Sequence, residues 1–433
     1  MVVKRMLFVT VSLVLFLGKG ETLAQALETD QVIQFYQQRV SRDPDDFAPY
    51  NQLAATYLQK ARETGDPSYY NLAEKALRKS LELVSNQPAA APALTYLAAV
   101  SLAKHQFPEA LKLAQQALVL DPGNLAPNAI VGDAYIDLGE YDNASRAYER
   151  IQSQREPSSL SSRLAYVRFL HGDPQGALQL MHTAIEKAVT ERVPKENLAW
   201  SYTEQGDLFF HIGKIEEAET SYQRALTTYP QYHRALANLA KVRTAQQRYP
   251  EAIALYQQAL AVVPFPDYAA SLGDLYAKIG SSEESEKQYN LVEYIGLLSA
   301  INQTMYNREL ALFYADHDIR LTEALALAQK ELEVRQDIYT YDVLAWALYK
   351  NGKLQEARTA MREALRLGTK DARLLFHAGM ISYRLEHYEE AKQYLQQALS
   401  LNPHFHIFHA EIAERMLKEL ATGVGVAAVQ EQQ

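Results

Sequence analysis

Along most of the chain apolar side chains recur at spacings of three and four residues, the signature of helices that bury one stripe and wet the other. Phe107-Pro108-Glu109-Ala110-Leu111-Lys112-Leu113-Ala114-Gln115-Gln116-Ala117-Leu118 is one such stretch, and Tyr249-Pro250-Glu251-Ala252-Ile253-Ala254-Leu255-Tyr256-Gln257-Gln258-Ala259-Leu260 repeats it almost letter for letter. About a dozen residues before each stretch a large–small pair marks another helix: Leu97-Ala98, Val131-Gly132, Leu239-Ala240, Leu272-Gly273 and Leu344-Ala345. The small member allows two helices to approach closely. Gly139, Gly172, Gly213, Gly280 and Gly352 fall between the two helices, where a residue free to take positive φ ends the first. Pro122, Pro230, Pro264 and Pro403 fall just past the second, where the chain must turn.

These units recur with a fixed period. Ala110, Ala144 and Ala177 are 34 and 33 residues apart, Ala218, Ala252 and Ser285 continue at 34 and 33, and Ala324, Ala357 and Ala391 at 33 and 34. The intervals between the three runs lengthen to 41 and 39, which marks joints near 189–196 and 291–303. Small, aromatic and proline positions alternating at this period resemble the tetratricopeptide repeat. The resemblance covers ten repeats, beginning near Phe47, Ala91, Leu125, Ser158, Ala199, His233, Pro266, Thr304, Ile338 and Ala372. It implies an all-α fold, a right-handed solenoid of about ten helical hairpins with a capping helix at each end. The expected organisation is a signal peptide over 1–26, a capping helix over 27–46, seven repeats over 47–299 and three over 300–403. A second capping helix over 404–420 and a disordered tail over 421–433 complete it.

Charge and composition narrow the function. The formal net charge of −9 is spread without like-charge runs, so no basic stripe meets nucleic-acid phosphates. Absence of cysteine removes disulfides, thiolate zinc sites and cysteine nucleophiles. No phosphate-cradling glycine loop, HExxH or GxSxG elbow occurs, so no enzyme activity and no cofactor is expected. Lys4 and Arg5 precede a largely apolar run, Met6 to Gly18, and Ala24-Gln25-Ala26 offers a small-x-small cleavage site. These features predict export, with cleavage after Ala26 and a periplasmic or secreted mature chain; an uncleaved N-terminal anchor is the alternative.

The resemblance further implies that the first helix of each hairpin lines a concave groove. Candidate contacts for a protein or peptide partner are then Trp200, Asp207, Phe210, Arg308, Tyr339, Trp346, Tyr349, Lys350, Arg373, Phe376, Tyr383 and Arg384, rich in the aromatic and arginine side chains that binding hot spots favour. Packing between repeats is the other use of Trp346 and Tyr349. Asp133, Asp207 and Asp274 occupy equivalent places and suggest either an acidic line for a cation or a structural motif. Arg308 and Arg373 resemble part of the cationic clamp with which some family members hold a C-terminal carboxylate, but Leu312 and Val343 stand where its asparagines belong. In the run His404-Phe405-His406-Ile407-Phe408-His409 the last two histidines would share a helix face, a metal-like spacing that no carboxylate completes. The expected function is an exported scaffold or adaptor serving envelope assembly, secretion or complex maintenance; a periplasmic small-ligand or metal receptor is the alternative.

Overall fold

The computed structural model describes residues 28–84, 87–153, 157–301 and 307–422; the expected signal over 1–26 and the tail beyond Thr422 lie outside them. Among the described residues there are α-helices and one short 3-10 turn, and no strand. Among the described residues one helix, α1 (Thr29–Arg42), precedes ten hairpins and α22 (His409–Thr422) follows them. The early pairs are α2 (Ala48–Thr64) with α3 (Ser68–Val84), α4 (Ala91–Ala103) with α5 (Phe107–Leu120), and α6 (Ala126–Asp137) with α7 (Tyr141–Gln152). Next come α8 (Ser158–Leu170), α9 (Pro174–Glu191), α10 (Lys195–His211) and α11 (Ile215–Thr228). The later pairs are α12 (His233–Ala245) with α13 (Tyr249–Val262), α14 (Pro266–Lys278) with α15 (Ser282–Ile301), and α16 (Asn307–Asp316) with α17 (Leu321–Val334). The last are α18 (Ile338–Lys350) with α19 (Leu354–Leu365) and α20 (Ala372–Arg384) with α21 (Tyr388–Leu401). Hairpins therefore start where the sequence period places them, except that α10 begins four residues ahead of Ala199, and the start near Thr304 lies outside the described residues.

The described chain forms two compact units, one of 28–167 with 180–201 and one of 168–179 with 202–422. In both, the period-34 small residues are the contact points. Ala110, Ala144, Ala252, Ala357 and Ala391 are fully buried. A Cβ built on Gly132 would stand 2.2 Å from a Tyr148 ring carbon, and one on Gly273 would stand 2.4 Å from Tyr289. Each glycine thus admits the aromatic ring of its own hairpin's second helix. The ring of Tyr289 is also held by its hydroxyl, which donates to Asp274 at 2.9 Å, so it has little room to retreat. Replacing Gly273 by Ala gains about 1 kcal/mol of helix propensity but overpacks a filled contact at about 1–3 kcal/mol. A net loss of stability is expected for Gly273→Ala, visible as a lower urea midpoint at unchanged m-value. An unchanged or raised midpoint would contradict this account of the glycine.

The second unit also turns back on itself. Gly172 and Gly213, at φ of +76° and +73°, form hairpin tips so close to later backbone that a side chain would meet the carbonyl oxygens of Gly368 and Leu401 at 2.4 and 2.8 Å. Asn402 donates its side-chain amide to the Phe210 carbonyl at 2.7 Å, and the Thr369 hydroxyl donates to the carbonyl of Leu170. These contacts bring the end of the array against its earlier inner helices.

Candidate functional site

Three aspartates expected to form an acidic line instead tie repeats together. Asp133 accepts from the Tyr148 hydroxyl at 2.7 Å and from Arg163 Nε and Nη2 at 2.8 and 2.7 Å. Asp207 accepts from the Tyr222 hydroxyl and from the Asn238 amide, both at 2.7 Å. Asp274 accepts from Tyr289 and lies 2.7 Å from His317 Nε2. In every case the tyrosine comes from the same hairpin, 15 residues on; the second partner comes from the next first helix for Asp133 and Asp207, and from the turn just past it, at His317, for Asp274. Asp133, Asp207 and Asp274 are all buried. Each carboxylate is engaged by protein donors, although Oδ2 of Asp207 has no hydrogen-bond partner among the described residues, and the three are buried rather than lined up for a basic ligand.

The groove candidates are equally enclosed. Arg308 is 3% exposed and pairs with Asp337 at 3.0 Å; Asp337 itself caps α18 by accepting from the Thr340 amide at 2.6 Å. Arg373 is buried over the Tyr339 ring and stands 3.3 Å from Asp342. Neither arginine is presented as a clamp, because each already faces a buried carboxylate. Tyr339, Trp346 and Phe376 are buried as well, at 6%, 2% and 1% exposure, as are Asp207 and Phe210. Trp200 and Tyr383 are half-buried, Tyr349 stacks on Trp346 at 4.8 Å, Lys350 lies 5.0 Å over the same indole, and Arg384 is exposed. Several of these large side chains meet one another, Trp346 against Phe376 at 5.9 Å, and Phe405 and His409 from the segment after α21 pack on the Phe376 ring. Of the twelve candidates Arg384 alone is exposed.

Two features lie in the second unit. One is a cleft of about 270 Å³ walled by α12, α13 and α14 and by residues 403–414. Lys241, Tyr249, Tyr256, Lys278 and Asp274 face it from the repeats, and His404, Phe405, Glu411 and Glu414 from the terminal segment. Burial pushes the Lys241 ammonium down to about 8, and the Asp207 carboxyl up to about 6, with Glu204 adding to the latter. The other feature is a knot of histidines and acids around Trp346. Its indole Nε1 donates to Asp316 at 2.8 Å, and its face stacks on His377 at 4.2 Å. His377 Nδ1 is 2.7 Å from Asp342, and His409 Nε2 is 3.8 Å from Asp316.

The histidine-rich run differs from its expected form. Residues 402–408 are not helical, so His406 and His409 do not share a helix face. Pro403 and the turn that follows it keep the helix from starting before His409. His406 Nδ1 instead accepts from the backbone N–H groups of Phe408 and His409, both at 3.1 Å, which satisfies the first free amide of α22. Its ring stacks on His409 at 3.9 Å. The residues that the sequence reading missed are Asp316 and His377, which no local pattern links to His409. Their signal is the spacing: Asp342 and His377 are 35 residues apart, Asp316 and Trp346 are 30 apart, close to one repeat.

Tetratricopeptide repeat profiles match residues 101–164, 203–269, 238–295, 338–370 and 372–405, together just over half of the chain. A human protein O-mannosyl-transferase, TMTC1, is 30% identical over 228 residues; the match takes in 50% of this chain and 25% of that protein. The chain thus spans only about a quarter of that relative's length. Among solved structures, a human IFIT1 dimer with PPP-AAAA aligns with a TM-score of 0.50 at 17% identity, over 78% of this chain and 77% of that one. The anaphase-promoting complex hetero-tetramer Cut9-Hcn1 aligns over 92% of this chain and 94% of that one, with a TM-score of 0.33 and 15% identity. At these identities the likeness concerns the fold alone.

Proposed function

Because the chain belongs to the tetratricopeptide repeat family, we propose that it is an exported, non-enzymatic scaffold that holds a protein or peptide partner on the inner face of its array. The observation that carries this reading is the cleft between α12, α13, α14 and the 403–414 segment, where two lysines and two tyrosines stand beside acidic groups. A peptide main chain offers donors and acceptors that such a mixed lining can satisfy, while Tyr249 and Tyr256 supply contact area at small entropic cost. The transferase activity in the relative's name is a property of a protein four times the matched length. It is not needed to account for the residues found here.

A photo-cross-linking residue at Thr244, on the cleft wall, tests the reading in cells. A discrete adduct with a partner is expected, and Lys241→Glu or Tyr249→Ala should remove most of it. Adducts identical in wild type and both variants would overturn the assignment of the cleft. Export is tested separately: the mature protein should begin at Leu27, and an intact Met1 on the purified chain would contradict cleavage.

A further inference from the structure

We infer that Asp316, His377 and His409 form a binding site for a divalent transition metal, with zinc the best match, that fastens the terminal helix α22 onto the repeats. Independently of the proposed function, each residue offers one ligand atom, and the three atoms lie within 4.8 Å of one another. They come from three separate elements, α16, α20 and α22. A tetrahedral zinc ion with bonds of about 2.0–2.1 Å needs ligand atoms roughly 3.4 Å apart. Closure of the triangle by about an ångström, within reach of small side-chain rotations, completes three of four positions and leaves the fourth for water.

The surroundings are built as metal sites are. His377 is fully buried, and its Nδ1 is engaged by Asp342 at 2.7 Å, the carboxylate–histidine pairing that fixes the tautomer and aims Nε2 at a metal. That Nε2 is buried and has no hydrogen-bond partner among the described residues, and the same holds for Nδ1 of His409. Orphaned buried ring nitrogens are costly in a protein that asks nothing of them. Asp316 is oriented in turn by the Trp346 indole at 2.8 Å. Two carboxylates, Asp316 and Asp342, balance the charge of a divalent ion.

Trp346 makes the site visible. It stacks on one ligand and donates to another, and the chain has only one other tryptophan, Trp200. In a full-chain Trp200→Phe background stripped with EDTA, zinc should change Trp346 emission with one-to-one stoichiometry. Cobalt should produce the intense visible bands of a four-coordinate site. His409→Gln and His377→Gln should each weaken binding by more than about 100-fold, and Asp342→Asn by about 10- to 100-fold. His404→Ala, an exposed histidine in the same run, should leave binding unchanged. His409→Gln changes a terminal helix and carries the test if His377→Gln fails to fold. Absence of stoichiometric binding overturns the site. So does binding that survives His409→Gln, or binding that is lost in His404→Ala, which would mark a surface histidine cluster instead.

Discussion

Asp133→Ala should destabilise the first unit by about 3–5 kcal/mol, because it strands a buried guanidinium. Arg163 is 8% exposed and its Nε and Nη2 both reach the Asp133 carboxylate, a two-pronged pair that holds α8 against α6. The same carboxylate accepts the Tyr148 hydroxyl, so one truncation leaves a charge and a phenol without their acceptor. In a repeat array each hairpin is stabilised largely by its neighbours, so the loss should concentrate near the broken link. Hydrogen exchange should therefore accelerate most in α6, α7 and α8, with a smaller effect in α18 to α21. The double variant Asp133→Leu, Arg163→Met removes both charges and should recover most of the stability, since well-packed apolar groups replace buried ion pairs with little loss. A single variant as stable as wild type would show that the pair is dispensable and that the repeats are held by apolar contacts alone.

This link also shows which parts of the molecule were legible in the sequence. Hairpins, their starts and their close contacts were readable because each depends on residues within one period: Gly132 and Tyr148 lie 16 positions apart and meet in one hairpin. The role of the aspartates was half readable, for Gly-Asp followed 15 residues later by Tyr recurs three times. Their second partners sit 30, 31 and 43 residues on, and the longest of these spacings crosses the joint near 291–303. A search for acids paired with donors about one repeat away would have found the first two. Enclosure of Trp346, Arg373 and Phe376 was not readable, because it follows from contacts between residues of different repeats and of the terminal segment. Within the second unit Asn402 donates to the Phe210 carbonyl and Thr369 to that of Leu170, residues 192 and 199 apart. Nothing in a local pattern encodes contacts at such separations. Trp346, Arg373 and Phe376 consequently read as groove contacts, whereas the structure buries all three.

The second large effect expected is acid destabilisation of the second unit through His233. This imidazole is 4% exposed, its Nδ1 lies 2.8 Å from the Tyr268 hydroxyl, and burial, aided by Arg234, pushes it down to about 3. A histidine whose folded pKa lies below its unfolded value of about 6.5 binds fewer protons when folded, so its contribution is complete above that value and is lost as pH falls. The loss amounts to roughly 1.4 kcal/mol for each pH unit below about 6.5. Asp207 acts in the opposite sense. Desolvation, followed by Glu204, raises it to about 6, so the folded state takes up a proton that the unfolded chain does not, and stability is gained as pH falls from 6 towards the ordinary aspartate range. Wild type should therefore show a blunted acid limb, and the two variants should separate the opposing slopes. His233→Gln keeps a group that can accept the Tyr268 hydroxyl but does not titrate, and its unfolding midpoint should depend less on pH between roughly pH 4 and pH 7. Asp207→Asn removes the compensating uptake and should make the same limb steeper. Parallel pH profiles for His233→Gln and wild type would refute the assignment of the acid limb to this buried imidazole.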